Sequence, residues 1–107
     1  MTKITPVNES SLPALLASSK LPVLVDFGAT WCGPCKMLEP SVEKLAENWK
    51  DKMSVVKVDV DESPNIAMQY QVMGVPTLIL FKDNKAVDRT SGLQSLDKLT
   101  ERFGKHI

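Results

Sequence analysis

The sequence predicts an α/β fold: a central mixed β-sheet flanked by helices on both faces, in the order β-α-β-α-β-α-β-β-α. Three observations carry this prediction. Apolar, β-branched runs alternate with segments whose apolar residues recur at three-and-four spacing. Residues 21–60 read as strand, helix, strand, the pattern of a parallel crossover. Finally, Asp83-Asn84 forms a turn that sets the last two strands antiparallel.

The order includes a leading strand ahead of the first helix, with no residues assigned to it. Asn8 or Ser10 can cap a first helix carrying Leu12, Leu15 and Leu16. Residues 21–27 form a central strand, apolar on both faces apart from Asp26. A long helix follows over residues 34–49, with Leu38, Val42, Leu45 and Trp49 on one face. Pro40 removes one backbone donor there and is expected to kink it. Residues 53–60 are a second β-branched run. Ser63-Pro64 has the cap-then-proline form of a helix start, and Ile66, Ala67 and Tyr70 supply the apolar face. Pro76 opens a strand through Thr77-Leu78-Ile79-Leu80-Phe81, an allowed place for a residue without an N–H. Residues 85–89 make a shorter strand. After Gly92, Ser95 can cap a last helix whose face is Leu96, Leu99 and Phe103.

One domain over residues 1–107 is expected from this length. A hydrophobic fraction of 43% supplies one core. Thirteen basic residues balance thirteen acidic ones without a Lys/Arg cluster, which argues against nucleic acid or an anionic membrane surface as partner. Nothing approaches the roughly 20 apolar residues of a membrane-spanning helix. Met1-Thr2-Lys3-Ile4-Thr5-Pro6 lacks the apolar core of a signal peptide, and the apolar run 12–17 is short and interrupted by Pro13. A cytoplasmic location is therefore expected. Asn8-Glu9-Ser10 matches a glycosylation pattern that has no meaning without secretion.

Both cysteines lie in Trp31-Cys32-Gly33-Pro34-Cys35-Lys36, where the central strand turns into the long helix. Residues three apart on a helical turn share a face, which brings their Cα atoms within the roughly 4.4–6.8 Å a disulfide requires. Such a pair can open and close as dithiol and disulfide without unfolding the chain. Two cysteines are too few for a disulfide scaffold. Structural zinc wants four ligands, and beyond the pair the sole histidine is His106, read as a solvated residue in a fraying last turn. An iron–sulfur or zinc centre bridging two chains is the remaining metal alternative. Trp49 and Met37 are read as packing residues on the long helix, and Asp59 and Asp61 as solvated or capping residues.

Val25-Asp26-Phe27, Ala29, the hexapeptide Trp31-Cys32-Gly33-Pro34-Cys35-Lys36, Pro40, Lys57 with Asp59, Gly74-Val75-Pro76-Thr77, Phe81 and Gly92 together resemble the thioredoxin family, over nearly the whole chain. A bare Cys-x-x-Cys is weak; this hexapeptide, with Val75-Pro76-Thr77 about forty positions on, is highly specific. Gly28 departs from the pattern, since many relatives carry a bulkier residue there, often tryptophan. The resemblance implies the thioredoxin fold and a protein-disulfide reductase. Cys32, at the first turn of the helix, meets orphan N–H groups and the macrodipole, which favour an anion by roughly 0.3–2 kcal/mol. That is expected to lower its pKa. Cys32 is thus the attacking thiolate, and Cys35, one turn inside and expected to be more buried, the resolving thiol. Gly33-Pro34 places no cation near the thiolate, so the expected poise is reducing.

Asp26 interrupts an apolar run, and burial without a partner raises a carboxyl pKa. The resemblance implies that it lies beneath the cysteines and relays the Cys35 proton through water, with Lys57 as its electrostatic partner. On spacing alone, both residues also fit strand ends facing solvent. Trans is the commoner isomer before any proline, but the resemblance implies that Pro76 is cis and faces the cysteine pair. Val75 would then offer its backbone to an extended substrate segment. Trp31, Gly33, Pro34, Gly74, Val75, Pro76 and Gly92 would complete a substrate-binding patch, although Gly74 and Gly92 also read as ordinary loop punctuation. The implied partners are disulfide-containing substrate proteins and a flavoprotein thioredoxin reductase drawing on NADPH. No cofactor or metal is expected on the chain itself, and a monomer is expected. A rival reading is a redox-independent binding module that uses the same apolar patch.

Overall fold

The computed structural model describes residues 4–107; Met1, Thr2 and Lys3, on which part of the N-terminal reading falls, lie outside the described residues. The elements are β1 (Thr5–Pro6), α1 (Ser11–Ser18), β2 (Val23–Gly28), α2 (Gly33–Asn48), β3 (Ser54–Asp59), α3 (Pro64–Gln69), β4 (Thr77–Lys82), β5 (Lys85–Ser91) and α4 (Leu96–Gly104). This is the expected order, and Thr5–Pro6 supplies the leading strand by pairing with β3. The five strands form one sheet in the order β1-β3-β2-β4-β5. β3 runs parallel to β1 and β2, while β4 runs antiparallel to β2 and β5, so the sheet is mixed.

β2 is apolar on both faces because both are covered. Successive side chains point to opposite sides of a strand. Val23, Val25 and Phe27 join Val56, Val58, Ile79 and Phe81 against Leu12 and Leu16 of α1 and Ile66 of α3. On the other side Leu24 joins Leu78 and Leu80 against Leu38, Val42 and Leu45 of α2 and Leu99 and Phe103 of α4. Each such aliphatic or aromatic side chain withdrawn from water favours folding by at most about 1.5–3 kcal/mol. By the same alternation Asp26 and Gly28 share the face of Leu24, the one that α2 covers. This places the polar interruption of β2 beneath the cysteine-bearing helix.

Local chemistry sets the ends of the elements. Asn8, not Ser10, caps α1: its Oδ1 accepts from the N–H groups of Ser10 and Ser11 at 2.9 and 3.0 Å. Ser95 caps α4 by accepting from Lys98 N–H at 3.2 Å. Ser63 stands at the start of α3, but its hydroxyl makes no capping bond. Helix α2 runs through Pro40 without interruption. Asp83 and Asn84 take φ values of 52° and 65°, the left-handed pair that matches the twist of a two-residue hairpin. β5 continues beyond the expected 85–89 because Thr90 and Ser91 still pair with Leu78 and Thr77. His106 is not loose, contrary to the sequence reading: its Nε2 lies 3.3 Å from Asp88 Oδ2, and its carbonyl accepts from Lys82 Nζ. Among the described residues no helix is long and apolar enough to cross a membrane.

Candidate active site

Chain direction and register gather the candidate residues at one end of the sheet. β2 ends at Gly28 and α2 begins at Gly33, so the cysteines sit on the turn between them. Phe27 lies opposite Thr77, and Thr77 opposite Ser91. The residues just after β2, just before β4 and just after β5 therefore meet at that end. Pro76 is joined to Val75 by a cis peptide bond, as the resemblance implied. Gly92 N–H donates to the carbonyl of Pro76 at 2.9 Å, and Thr77 Oγ1 donates to the carbonyl of Gly74 at 2.7 Å. Gly92 has φ +85°, a conformation open to glycine and strained for most residues. Gly33, Pro34, Gly74 and Gly92 are exposed, Val75 is half-buried and Pro76 buried. Trp31 is 68% exposed, with its indole N–H donating to Asp61 Oδ2 at 2.7 Å. Asp61 in turn is fixed by its own N–H, which donates to Asp59 Oδ1 at 2.8 Å. Asp59 thus holds the turn after β3 and caps no helix, while Asp61 is an anchor for Trp31 that the sequence did not reveal.

Cys32 is the N-cap of α2 and is bridged to Cys35, with Cα atoms 5.3 Å apart. Its Sγ accepts the N–H of Cys35 at 3.1 Å. That is one of the orphan donors at a helix start, and it favours negative charge on this sulfur. Pro34 sits in the first turn, where its missing N–H leaves nothing unpaired. The burial of the two cysteines is the reverse of expectation. Cys32 is only 3% exposed, whereas Cys35 is half-buried. A Cβ at Gly28 would stand 3.5 Å from both Cβ and Sγ of Cys35, and Gly28 and Cys35 both line a cavity of about 490 Å³.

Asp26 borders the same cavity. It is 8% exposed, and its Oδ1 has no hydrogen-bond partner among the described residues. Burial pushes its pKa up to about 7, helped by the charge of Glu39 and opposed by that of Lys57. Lys57 is the register partner of Asp26 on β3, but its ammonium pairs with Glu39 Oε1 at 3.4 Å. The expected Asp26–Lys57 pair is thus a group of three. Glu39 is the member that sequence reasoning missed; its signal was the i, i+4 spacing from Cys35, which puts both on one helix face. Met37, expected to pack, is 66% exposed, while Trp49 does pack against the α2–α4 core. Among the described residues no group of three or more His, Cys, Asp or Glu side chains is placed to hold a metal ion.

Comparison with known proteins agrees with this geometry. The family model described as thioredoxin matches residues 3–105. A thioredoxin of Staphylococcus aureus is 51% identical over 84 residues, covering 78% of this chain and 81% of that protein. A mutant thioredoxin from Halobacterium salinarum superposes with a TM-score of 0.87 at 42% identity, covering 96% of this chain and 89% of that one. A chain from a structure on thiol resolution in a yeast mitochondrial peroxiredoxin, through the glutathione and thioredoxin systems, gives 0.85 at 35% identity, covering 95% and 94%.

Proposed function

The chain belongs to the thioredoxin family, and on that premise we propose how its exchange chemistry runs and with whom. Members are protein-disulfide oxidoreductases acting by dithiol–disulfide exchange, and Cys32 and Cys35 are the redox pair of this chain. The reading is of a reductase. The observation that carries the exchange step itself is the Cys32 sulfur at the start of α2, held by the N–H of Cys35. In the reduced protein Cys32 ionises and attacks a disulfide on a partner protein, forming a mixed disulfide and expelling one partner sulfur as thiolate. Cys35 loses its proton, attacks the Cys32 sulfur and releases the second partner thiolate. The partner gains two electrons and the Cys32–Cys35 bond is restored. The uncharged Gly33-Pro34 between the cysteines supports the reducing direction.

Asp26 is proposed to take the Cys35 proton. A carboxyl with a pKa of about 7 can both hold and release a proton near neutral pH. Lys57 and Glu39 tune it from the cavity wall. Trp31, Gly33, Pro34, Gly74, Val75, Pro76 and Gly92 are proposed to seat the substrate, with Val75 lending its backbone to an extended segment. The protein works as one monomeric domain in the cytoplasm. It carries electrons between a flavoprotein thioredoxin reductase, fed by NADPH, and its substrates.

The test is reduction of insulin disulfides with a chemical or enzymatic electron source. Wild type should accelerate it, Cys32→Ser should be inactive, and Cys35→Ser should accumulate covalent complexes with its targets. Asp26→Asn should slow release from the mixed disulfide; an unchanged rate and thiol titration would remove Asp26 from the mechanism. Full biological activity in both serine variants would favour the binding-module reading instead.

A further inference from the structure

Gly28 ends β2 and lines the cavity of about 490 Å³, and a Cβ at that position would stand 3.5 Å from the Cys35 Sγ. Cys35 lines this cavity and Cys32 does not. We propose that the opening is a second entrance to the active-site disulfide, through which low-molecular-weight thiols bearing an amine reach the Cys35 sulfur and reduce the bond. The inference rests on the redox cycle proposed above and adds a second electron donor to it.

Size, leaving group and charge support the entrance. A volume of about 490 Å³ lies within the range of small-molecule sites, so a small thiol fits where a folded protein cannot. Thiol–disulfide exchange expels the sulfur that is not attacked, and it runs faster when that sulfur makes the more stable thiolate. Attack at Cys35 expels Cys32, whose sulfur already accepts an N–H at the helix start. Attack at Cys32 expels Cys35, on the side of the buried Asp26 carboxyl. As for charge, Lys57 at the cavity wall is engaged by Glu39, which leaves Asp59 and Glu62 facing Lys36. The surplus of carboxylate favours a ligand that carries an ammonium group.

The chemistry balances. A small thiolate attacks the Cys35 sulfur, the Cys32–Cys35 bond breaks, a mixed disulfide forms on Cys35, and Cys32 leaves as thiolate. A second small thiolate attacks the bound small-thiol sulfur, forming the small disulfide and expelling Cys35. Two small thiols are oxidised and one protein disulfide is reduced. The protons released by the small thiols are taken up by the protein sulfurs.

Cysteamine, compared with a thiol-capped polyethylene glycol too bulky for the opening, tests the entrance. Each reduces the oxidised protein, and the protein thiols released are counted by alkylation and mass. On Gly28→Trp, cysteamine should slow at least about tenfold, a barrier rise of about 1.4 kcal/mol, while the polymer thiol keeps its rate. Gly28→Ala guards against misfolding of the larger variant: its Cβ would sit at an ordinary 3.5 Å contact with Cys35, and cysteamine should slow by a smaller factor. A Cys32→Ser protein locates the sulfur. There, cystamine should form a mixed disulfide with Cys35 faster than a polymer disulfide does, and adding Gly28→Ala should narrow the difference. Equal effects on small and bulky thiols in the Gly28 variants, or none on either, would overturn the entrance. Failure of wild type to reduce insulin would overturn the redox cycle instead.

Discussion

Withdrawal from water sets the chemistry of Asp26 before any neighbour acts on it. Its pKa of about 7 in the folded state lies above the ordinary 3.8, so the folded protein binds this proton more tightly than the unfolded chain does. For a carboxyl raised in this way, stability is greatest while both states are protonated. It falls as pH climbs from about 4 to about 7 and levels off above that. At about 1.4 kcal/mol per unit, the interval between 3.8 and about 7 bounds the loss at about 4 kcal/mol. Asp26→Asn should therefore flatten the slope and raise stability above neutral pH, as read by urea unfolding of the oxidised protein at a series of pH values. Glu39→Gln removes a charge that pushes Asp26 up, so the Asp26 pKa should fall, as followed by NMR titration of its carboxyl carbon. Asp26 is legible in the sequence because a lone carboxylate stands out in an apolar strand. Glu39 offers only its spacing from Cys35, because a glutamate on a long helix is ordinary until the helix folds across β2. The departure at Gly28 is also legible, but its consequence is not. Position along a helix does not decide which cysteine is covered; the residues packed around each one do.

At the scale of elements, helix starts divide into those held by a side chain and those that are not. Asn8→Ala should cost about 1 kcal/mol in chemical denaturation, because two N–H groups at the start of α1 lose their acceptor. Ser63→Ala should lack that effect, since its hydroxyl makes no such bond. The long helix and the central strands are visible from spacing because their apolar residues answer to a core. β1 is not: two exposed residues become a strand only through pairing with Val56 and Lys57. The C-terminal turn is misjudged for a related reason. Its anchor is Asp88 on β5, bound by Arg102 at 2.8 Å and adjoining His106, a pairing of distant residues that no local pattern announces.

Across the whole molecule, two apolar layers share one sheet. Leu78 faces the α2–α4 layer and its neighbour Ile79 the α1–α3 layer. Leu78→Ala and Ile79→Ala should each cost about 2–5 kcal/mol, and each should lower the same single unfolding transition. Two separable transitions would show that the layers fold independently. The alternation of elements and the mixed sheet follow from the sequence pattern, whereas the strand order β1-β3-β2-β4-β5 is settled by long-range pairing that periodicity does not encode. The two sulfurs stand only three positions apart, so bridging them ties off a very short loop. Removing so little freedom from the unfolded chain favours the bridged form by only about 2 kcal/mol. For a chain of this size that is a rise of roughly 10 °C in the midpoint of thermal unfolding, so the molecule should withstand heat better with its sulfurs joined than with them apart.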